Sequence, residues 1–486
     1  MAEKTDKTSQ LKVTPRSEDY SRWYTDVIQR AELADYAPVR GCMVIRPYGY
    51  AIWENIQAGL DKMFKETGHR NAYFPMFIPE SFLKKEAEHV EGFSPELAVV
   101  TVGGGKKLEE PLIVRPTSET IINYMFAQWA KSYRDLPILV NQWCNVVRWE
   151  LRTKLFLRTL EFLWQEGHTA HATAEEAEEE TVRMLGVYKT FAQETAAIPV
   201  IAGRKSDSEK FAGAVCSYSI EAMMGDRRAL QSATSHNLGQ NFAKAFGIQF
   251  LDQENKLQHA WQTSWGMSTR FVGAVIMVHG DDQGLVMPPK LAPVQAVIVP
   301  IWRKDAEKDG VLTEAGKVRE VLKDRFRVEL DSRDGVSPGF KFNDWEMRGV
   351  PVRIEIGPKD IEKKQVVLAR RDNREKSFVP VDRLSTELEM TLDRVQKSLF
   401  QKAKDFMEAN TFELDSYEKF KDLMAGEGSP GFVRAWWCDG RECEAKIKEE
   451  TKATSRCIPF DQPGGAGKCF HCGAEARVKA IFAKAY

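Results

Sequence analysis

The sequence predicts an α/β (α+β) protein built as three units, over residues 1–286, 287–384 and 385–486. Three observations carry that reading. The chain has 486 residues, about three times a typical domain, so roughly two to four domains are expected. Apolar residues make up 43% and charged residues 29%, the balance of a folded protein with ample core, which excludes disorder as the dominant state. Finally, Met287-Pro288-Pro289-Lys290-Leu291-Ala292-Pro293 puts three prolines in seven residues; neither a helix nor a central strand continues through that, so it reads as a linker.

Lys plus Arg is 69 against 70 for Asp plus Glu, a formal charge of −1, so any nucleic-acid contact must come from locally placed basic groups. No apolar run reaches the roughly eighteen residues of a membrane span; the longest stretches, such as 294–301, suit buried strands. Residues 1–16 lack the apolar core of a signal peptide, and a cytoplasmic location is expected.

Within the first unit, residues 50–66 read as an amphipathic helix with Ile52, Ile56, Leu60 and Phe64 on one face. Gly103-Gly104-Gly105 has no following helix or Lys-Ser pair, so it reads as a hairpin turn and not as a phosphate-cradling loop. Arg115-Pro116-Thr117-Ser118-Glu119 reads as a helix start with Thr117 as cap, compatible with a ligand role for the same hydroxyl and carboxylate. Val147-Arg148-Trp149-Glu150 is followed, sixteen residues after Arg148, by Trp164-Gln165-Glu166-Gly167-His168. Strands over 145–150 and 160–168 would form an antiparallel hairpin. Alternation would then align Arg148 with Glu150, and Trp164 with Glu166 and His168. Surface salt bridging accounts for such a face as readily as ligand binding does. His168 and His171 lack the spacing of a metal site.

Thr173, with Glu175, Glu176, Glu178, Glu179 and Glu180 after it, reads as an N-cap and a solvated acidic helix start, favoured by the exposed amides and the helix dipole. Arg270, after Trp265-Gly266-Met267-Ser268-Thr269, opens the apolar helix 271–277; burying it without an anion is expensive, so a buried ion pair or a phosphate is required. His279-Gly280-Asp281-Asp282 ends that helix and turns the chain.

The second unit alternates a strand at 294–301, a helix near 313–324 and strands near 327–330 and 352–356, a compact α/β pattern ending near Asp382. Leu388, Leu392, Val395 and Leu399 mark a helix over 385–409. In the third unit, Cys438-x4-Cys443 and Cys469-x2-Cys472-Gly473 stand twenty-five residues apart. Four thiolates in two knuckles match a closed structural zinc site, with Cys457 and His471 as spare ligands and free thiols as the alternative.

Together these pieces resemble a class II aminoacyl-tRNA synthetase, and specifically the prolyl-tRNA synthetase family. Gly68-His69-Arg70-Asn71-Ala72-Tyr73-Phe74-Pro75 is similar to the first class motif, which builds the dimer interface in that family. Arg148-Trp149-Glu150 with residues 162–168 resembles the second, Gly266 through Arg270 the third, and Arg115 through Glu119 the loop that grips the proline amine. The resemblance covers residues 15–486. About 92 residues separate His168 from Ala260, too few for the editing insertion of typical bacterial prolyl enzymes. The cysteine tail and Tyr486 match the archaeal and eukaryotic-like form, which some bacteria also possess. Leu155 stands where many relatives carry proline.

The resemblance implies an antiparallel-sheet catalytic domain, an α/β anticodon-binding domain and a C-terminal zinc-binding α/β domain. It further implies a cytoplasmic homodimer without membrane attachment that binds ATP with Mg²⁺, proline and tRNA(Pro) and holds a structural Zn²⁺ on Cys438, Cys443, Cys469 and Cys472. Arg148 and Arg270 are the implied catalytic cations, on the α- and γ-phosphates. Glu150 would meet the adenine amino group, while Gln231, Thr234 and His236 would complete the pocket. Thr117, Glu119 and Glu166 would meet the proline amine, with Trp164 and Phe93 as walls and His168 and Ser264 as floor. Phe340, Lys341, Trp345, Glu346, Arg348 and Lys359 are the implied anticodon readers. Because the cysteine cluster lies far along the chain from the other motifs, metal removal is expected to harm stability more than chemistry. A non-catalytic tRNA-binding paralogue is the rival reading, and the joint retention of Arg148, Glu150 and Arg270 argues against it.

Overall fold

The structure is a computed structural model that describes residues 13–82, 97–150, 152–426 and 428–486; Phe93 lies outside them. Its centre is an eleven-stranded sheet. From one edge inward run Arg70–Asn71, Ile138–Val147, Glu161–His171, Trp261–Ser268, Ala229–Gly239, Cys216–Met223 and Val200–Arg204. All neighbouring pairs in that series are antiparallel except the first. Between Glu161–His171 and Trp261–Ser268 the chain holds only elements of this unit and a small hairpin, Gln249–Leu251 with Leu257–His259, so no further domain is inserted there.

Helices cover one face of the sheet. Pro47–Glu66 starts with proline in its first turn, where no amide bond is lost, and buries Ile52, Trp53, Ile56, Leu60 and Phe64. Ala174–Thr190 opens with a capping box in which Thr173 and Glu176 satisfy each other's backbone amides. The acidic run is not all solvated, however. Glu180 is buried and meets buried His69 at 3.0 Å, and Glu178 accepts from Tyr218 at 2.5 Å and Asn237 at 2.7 Å. The reason is the helix's position across the sheet: its later carboxylates are turned down onto the strands. The glycine run behaves as expected. Gly104 and Gly105 take positive φ between strands Ala98–Gly103 and Lys106–Val114.

The second unit is a five-stranded sheet in which Val328–Leu330, Ala296–Pro300 and Val352–Ile356 are parallel, with Gln365–Arg370 and Lys376–Pro380 added antiparallel. Helix Leu384–Ala409 joins the units. Leu384, Leu388 and Leu392 complete this core, whereas Val395 and Leu399 pack with Ala197 and Val286 of the first.

The cysteine-bearing tail is close to the first unit in space despite its distance in sequence. Its strands Thr411–Glu413, Phe432–Trp437, Val478–Ala483 and Thr454–Pro459 extend the central sheet, through Ile458 and Pro459 paired with Arg204 and Gly203. A Cβ on Gly203 would lie 2.3 Å from the Ile458 carbonyl oxygen, so only glycine permits this junction. Among the described residues no helix is long and apolar enough to cross a membrane.

Candidate active site

Register builds the site. His168, Ser264 and His236 stand side by side on three adjacent strands, and Glu166, Gly266 and Thr234 form the next row. Strand alternation turns both rows to one face. Gly266 leaves the second row open. The start of helix Glu119–Trp129 lies against this face, and together they enclose a cavity of about 260 Å³. Thr117, Glu119, Arg148, Trp164, Glu166, His168, Gln231, Thr234, His236 and Ser264, all singled out above, line it.

The floor is an interlocked acid cluster. Glu166 Oε1 accepts from Ser118 Oγ at 2.5 Å and Gln142 Nε2 at 2.7 Å, while its Oε2 is buried and unpartnered. Glu119 Oε1 meets His168 Nε2 at 3.5 Å, and the Thr117 hydroxyl donates to Glu119 Oε2. Burial alone would raise the Glu119 carboxyl, but His168 and Thr117 overcome that and hold it at about 2. Burial would likewise lower His168; Glu119 and Glu166 outweigh it and raise the imidazole above its usual range. At His236 burial outweighs the opposing influence of Glu119 and lowers the imidazole to about 4. Thr117 is therefore not a helix cap: Ser118 occupies the cap position without capping, its hydroxyl being committed to Glu166.

Arg148 departs from the expected hairpin geometry. The strand ends at Val147, so Arg148 and Glu150 lie on the loop beyond it, and Arg148 is exposed at the cavity mouth. Its Nε donates to the Pro116 carbonyl at 3.0 Å, and its guanidinium lies 5.6 Å from the Phe162 ring and 5.5 Å from the Trp164 ring. Glu150 and Arg270 fall outside the cavity lining. Glu150 is 3.9 Å from Arg158. Arg270 opens helix Arg270–His279 and bonds the Leu157 carbonyl at 2.9 Å; among the described residues no carboxylate lies within 4.0 Å of it. Crowding by protein, then Arg158 and Arg148, lowers its pKa. A close ion pair therefore does not account for this cation among the described residues.

Sequence reasoning missed Lys205, Glu209, Phe211 and Trp265, which also line the cavity. The first three sit on or beside an irregular loop with no motif to mark it. Trp265 was visible, but only register shows Gly167 opposite it, with no room for a Cβ against the indole.

Cys438, Cys443, Cys469 and Cys472 bring their Sγ atoms within 4.8 Å of one another, and Cys438 and Cys472 stand 3.8 Å apart. A tetrahedron with Zn–S of about 2.3 Å has S···S edges of about 3.8 Å, so the donor set fits zinc. Cys457 and His471 are not in the cluster. Metal analysis is expected to give one equivalent per chain, absent in Cys438→Ser and retained in Cys457→Ser; retention in the first variant would reject this ligand set.

On the second unit, Lys341 is buried, its ammonium donating to the Asp331 carbonyl at 2.9 Å, so it does not face a ligand as expected. Arg348 reaches Glu32 of the first unit at 2.5 Å, and Glu346 pairs with Arg353 at 3.0 Å. Their spacing in sequence gave no sign of these partners.

Residues 101–279 match the family profile described as tRNA synthetase class II core domain (G, H, P, S and T), 295–391 that of an anticodon binding domain, and 417–486 that of prolyl-tRNA synthetase, C-terminal. The proline–tRNA ligase of Natranaerobius thermophilus is 57% identical over 98% of this chain and 98% of its own. The chain belongs to the prolyl-tRNA synthetase family. A chloroplastic/mitochondrial proline–tRNA ligase of Arabidopsis thaliana is 59% identical over 98% of this chain and 88% of its own, and one from a Roseiflexus species 57% identical over 98% and 99%. The class II core of the family accounts for the antiparallel sheet, and the two later profiles fall on the second sheet and the cysteine-bearing tail.

Proposed function

We propose that the chain joins proline to tRNA(Pro) in two steps. The proline carboxylate attacks the α-phosphorus of ATP, releasing pyrophosphate, and a 3′-terminal ribose hydroxyl of the tRNA then takes the prolyl group, releasing AMP. The observation that carries this reading is a small acid-floored cavity with the Arg148 guanidinium at its mouth, which has no carboxylate within 4.0 Å among the described residues. A charged secondary amine suits the free Glu166 oxygen and the Glu119 carboxylate; phosphates suit Arg148 and Arg270.

Attack on phosphorus by a carboxylate needs alignment and charge neutralisation more than a strong base. Arg148, at the cavity mouth, would hold the substrate carboxylate and α-phosphate together. Arg270 would hold the γ-phosphate. Glu150 is assigned to the adenine amino group, and Gln231, Thr234 and His236 to the join between nucleotide and amino acid. Thr117, Glu119 and Glu166 take the amine, with Trp164, His168 and Ser264 around the ring. Magnesium arriving with ATP would neutralise its phosphates. Zinc on the four cysteines would be structural, since four thiolates leave no open position. We divide the chain at about residues 286 and 384 into catalytic, anticodon-binding and zinc-binding domains, and assign a cytoplasmic homodimer. On the anticodon unit Lys359 is exposed and Phe340, Trp345, Glu346 and Arg348 are half-buried, so base contact is assigned to them before the buried Lys341.

Amino-acid-dependent pyrophosphate exchange, run with all twenty amino acids and magnesium-ATP, tests the reading. Proline is expected to give the highest kcat/KM, with measurable alanine activity, because missing methylenes discriminate by only about 1–3 kcal/mol. A preference for threonine, serine or histidine would reject the pocket assignment, and no exchange from folded protein would favour the non-catalytic paralogue.

A further inference from the structure

The cavity wall formed by Lys205, Glu209 and Phe211 is held from outside by the cysteine-bearing tail. Residues 206–215 form no helix or strand, and their internal support is limited to turns such as Ala214 N–H to Phe211 O at 3.0 Å. Towards the cavity, Phe211 N–H donates to Ser217 Oγ at 3.0 Å, Ser217 Oγ lies 2.7 Å from His236 Nδ1, and the Phe211 and His236 rings are 4.9 Å apart. The other side rests on helix Arg441–Thr451, which begins beside Cys438 and carries Cys443. Glu444 and Lys448, one turn apart, share a face of that helix. Ser206 Oγ donates to Glu444 Oε1 at 2.7 Å and accepts from Glu209 N–H at 3.2 Å, while Lys448 lies 3.5 Å from Glu209. Asp439, next to Cys438, pairs with Arg204 at 2.6 Å.

Glu444 is buried and, among the described residues, pairs with no cation; besides Ser206 it accepts from Ser455 Oγ. A buried carboxylate used only as a hydroxyl acceptor is costly as a stability device. It does fix the one hydroxyl that closes the turn under Glu209. Side chains that line a site are kept in place by such outer partners, and a displacement of about 1 Å can cost about 10²-fold in rate.

We propose that Glu444 is a positioning residue for proline binding, acting through Ser206 on the wall of Lys205, Glu209 and Phe211. This rests on the assignment of the cavity to proline. Steady-state exchange on the full-length, zinc-loaded protein tests it. Glu444→Ala is expected to raise KM for proline about tenfold with kcat within about twofold, at unchanged zinc content. Glu444→Gln keeps an acceptor oxygen and is expected to restore KM to near wild type. Ser206→Ala should reproduce the KM effect, and the double variant should be no worse than either single one. A wild-type KM in zinc-loaded Glu444→Ala, or loss of kcat in proportion to lost zinc, would overturn the proposal. If Glu444→Ala does not fold, Ser206→Ala decides by the same KM criterion. Exchange driven by a different amino acid would reject the cavity assignment instead, and the KM shift would then be read on that amino acid.

Discussion

Arg148→Ala and Arg270→Ala are each expected to lower proline-dependent exchange by about 10²–10³-fold or more, with secondary structure and zinc content unchanged. The warrant is electrostatic. Neither guanidinium has a carboxylate within 4.0 Å among the described residues, and Arg158 and Arg148 add to the cost of the Arg270 charge. Two cations whose nearest carboxylates stand off beyond 4.0 Å among the described residues keep their donors available for an anion, which is the arrangement a phosphate chain requires. Removing either loses its charge where charge moves in the transition state, and little of the fold depends on them: each makes a single hydrogen bond to a carbonyl. Exchange within about threefold of wild type in either variant would sink the phosphate assignment for that arginine.

Glu221→Ala is expected to destabilise the protein by about 3–5 kcal/mol, the cost of stranding a buried charge. Glu221 is fully buried on strand Cys216–Met223; its Oε2 meets Arg456 at 2.9 Å and its Oε1 lies 3.9 Å from Lys205. Those two cations are also buried; Arg456 belongs to the tail, and Lys205 follows directly on strand Val200–Arg204. Loss of the carboxylate leaves both uncompensated at the seam where the sheet passes from Val200–Arg204 to Thr454–Pro459. The first urea transition should move to lower concentration; a midpoint indistinguishable from wild type would mean that the seam is not held by this triad.

The sequence by itself determined the family resemblance and the local patterns that mark the candidate site. Period-two alternation on Trp164, Glu166 and His168, the helix signature at Arg270 and the cysteine knuckles are local patterns, and local patterns survive in the linear chain because the strand, helix and metal ligand each impose a fixed spacing. That is why these three residues and the four thiolates fell where expected. Where the pattern stopped, so did the foresight: Arg148 and Glu150 sit one and three residues past the strand's end, and Thr117 yields the cap position to Ser118.

Only the tertiary structure decided what faces what across the sheet. Register aligned His168 with Ser264, 96 residues on, and Ser264 with His236, 28 residues back. Packing turned Glu180 inward onto His69 and Lys341 onto Asp331. Sheet extension brought a tail some 230 residues downstream against Arg204, Lys205 and Ser206. None of these contacts has a spacing signature, because hydrogen-bonded strand pairing and side-chain burial depend on which surfaces meet, and a chain's order does not encode the distance at which it returns to itself.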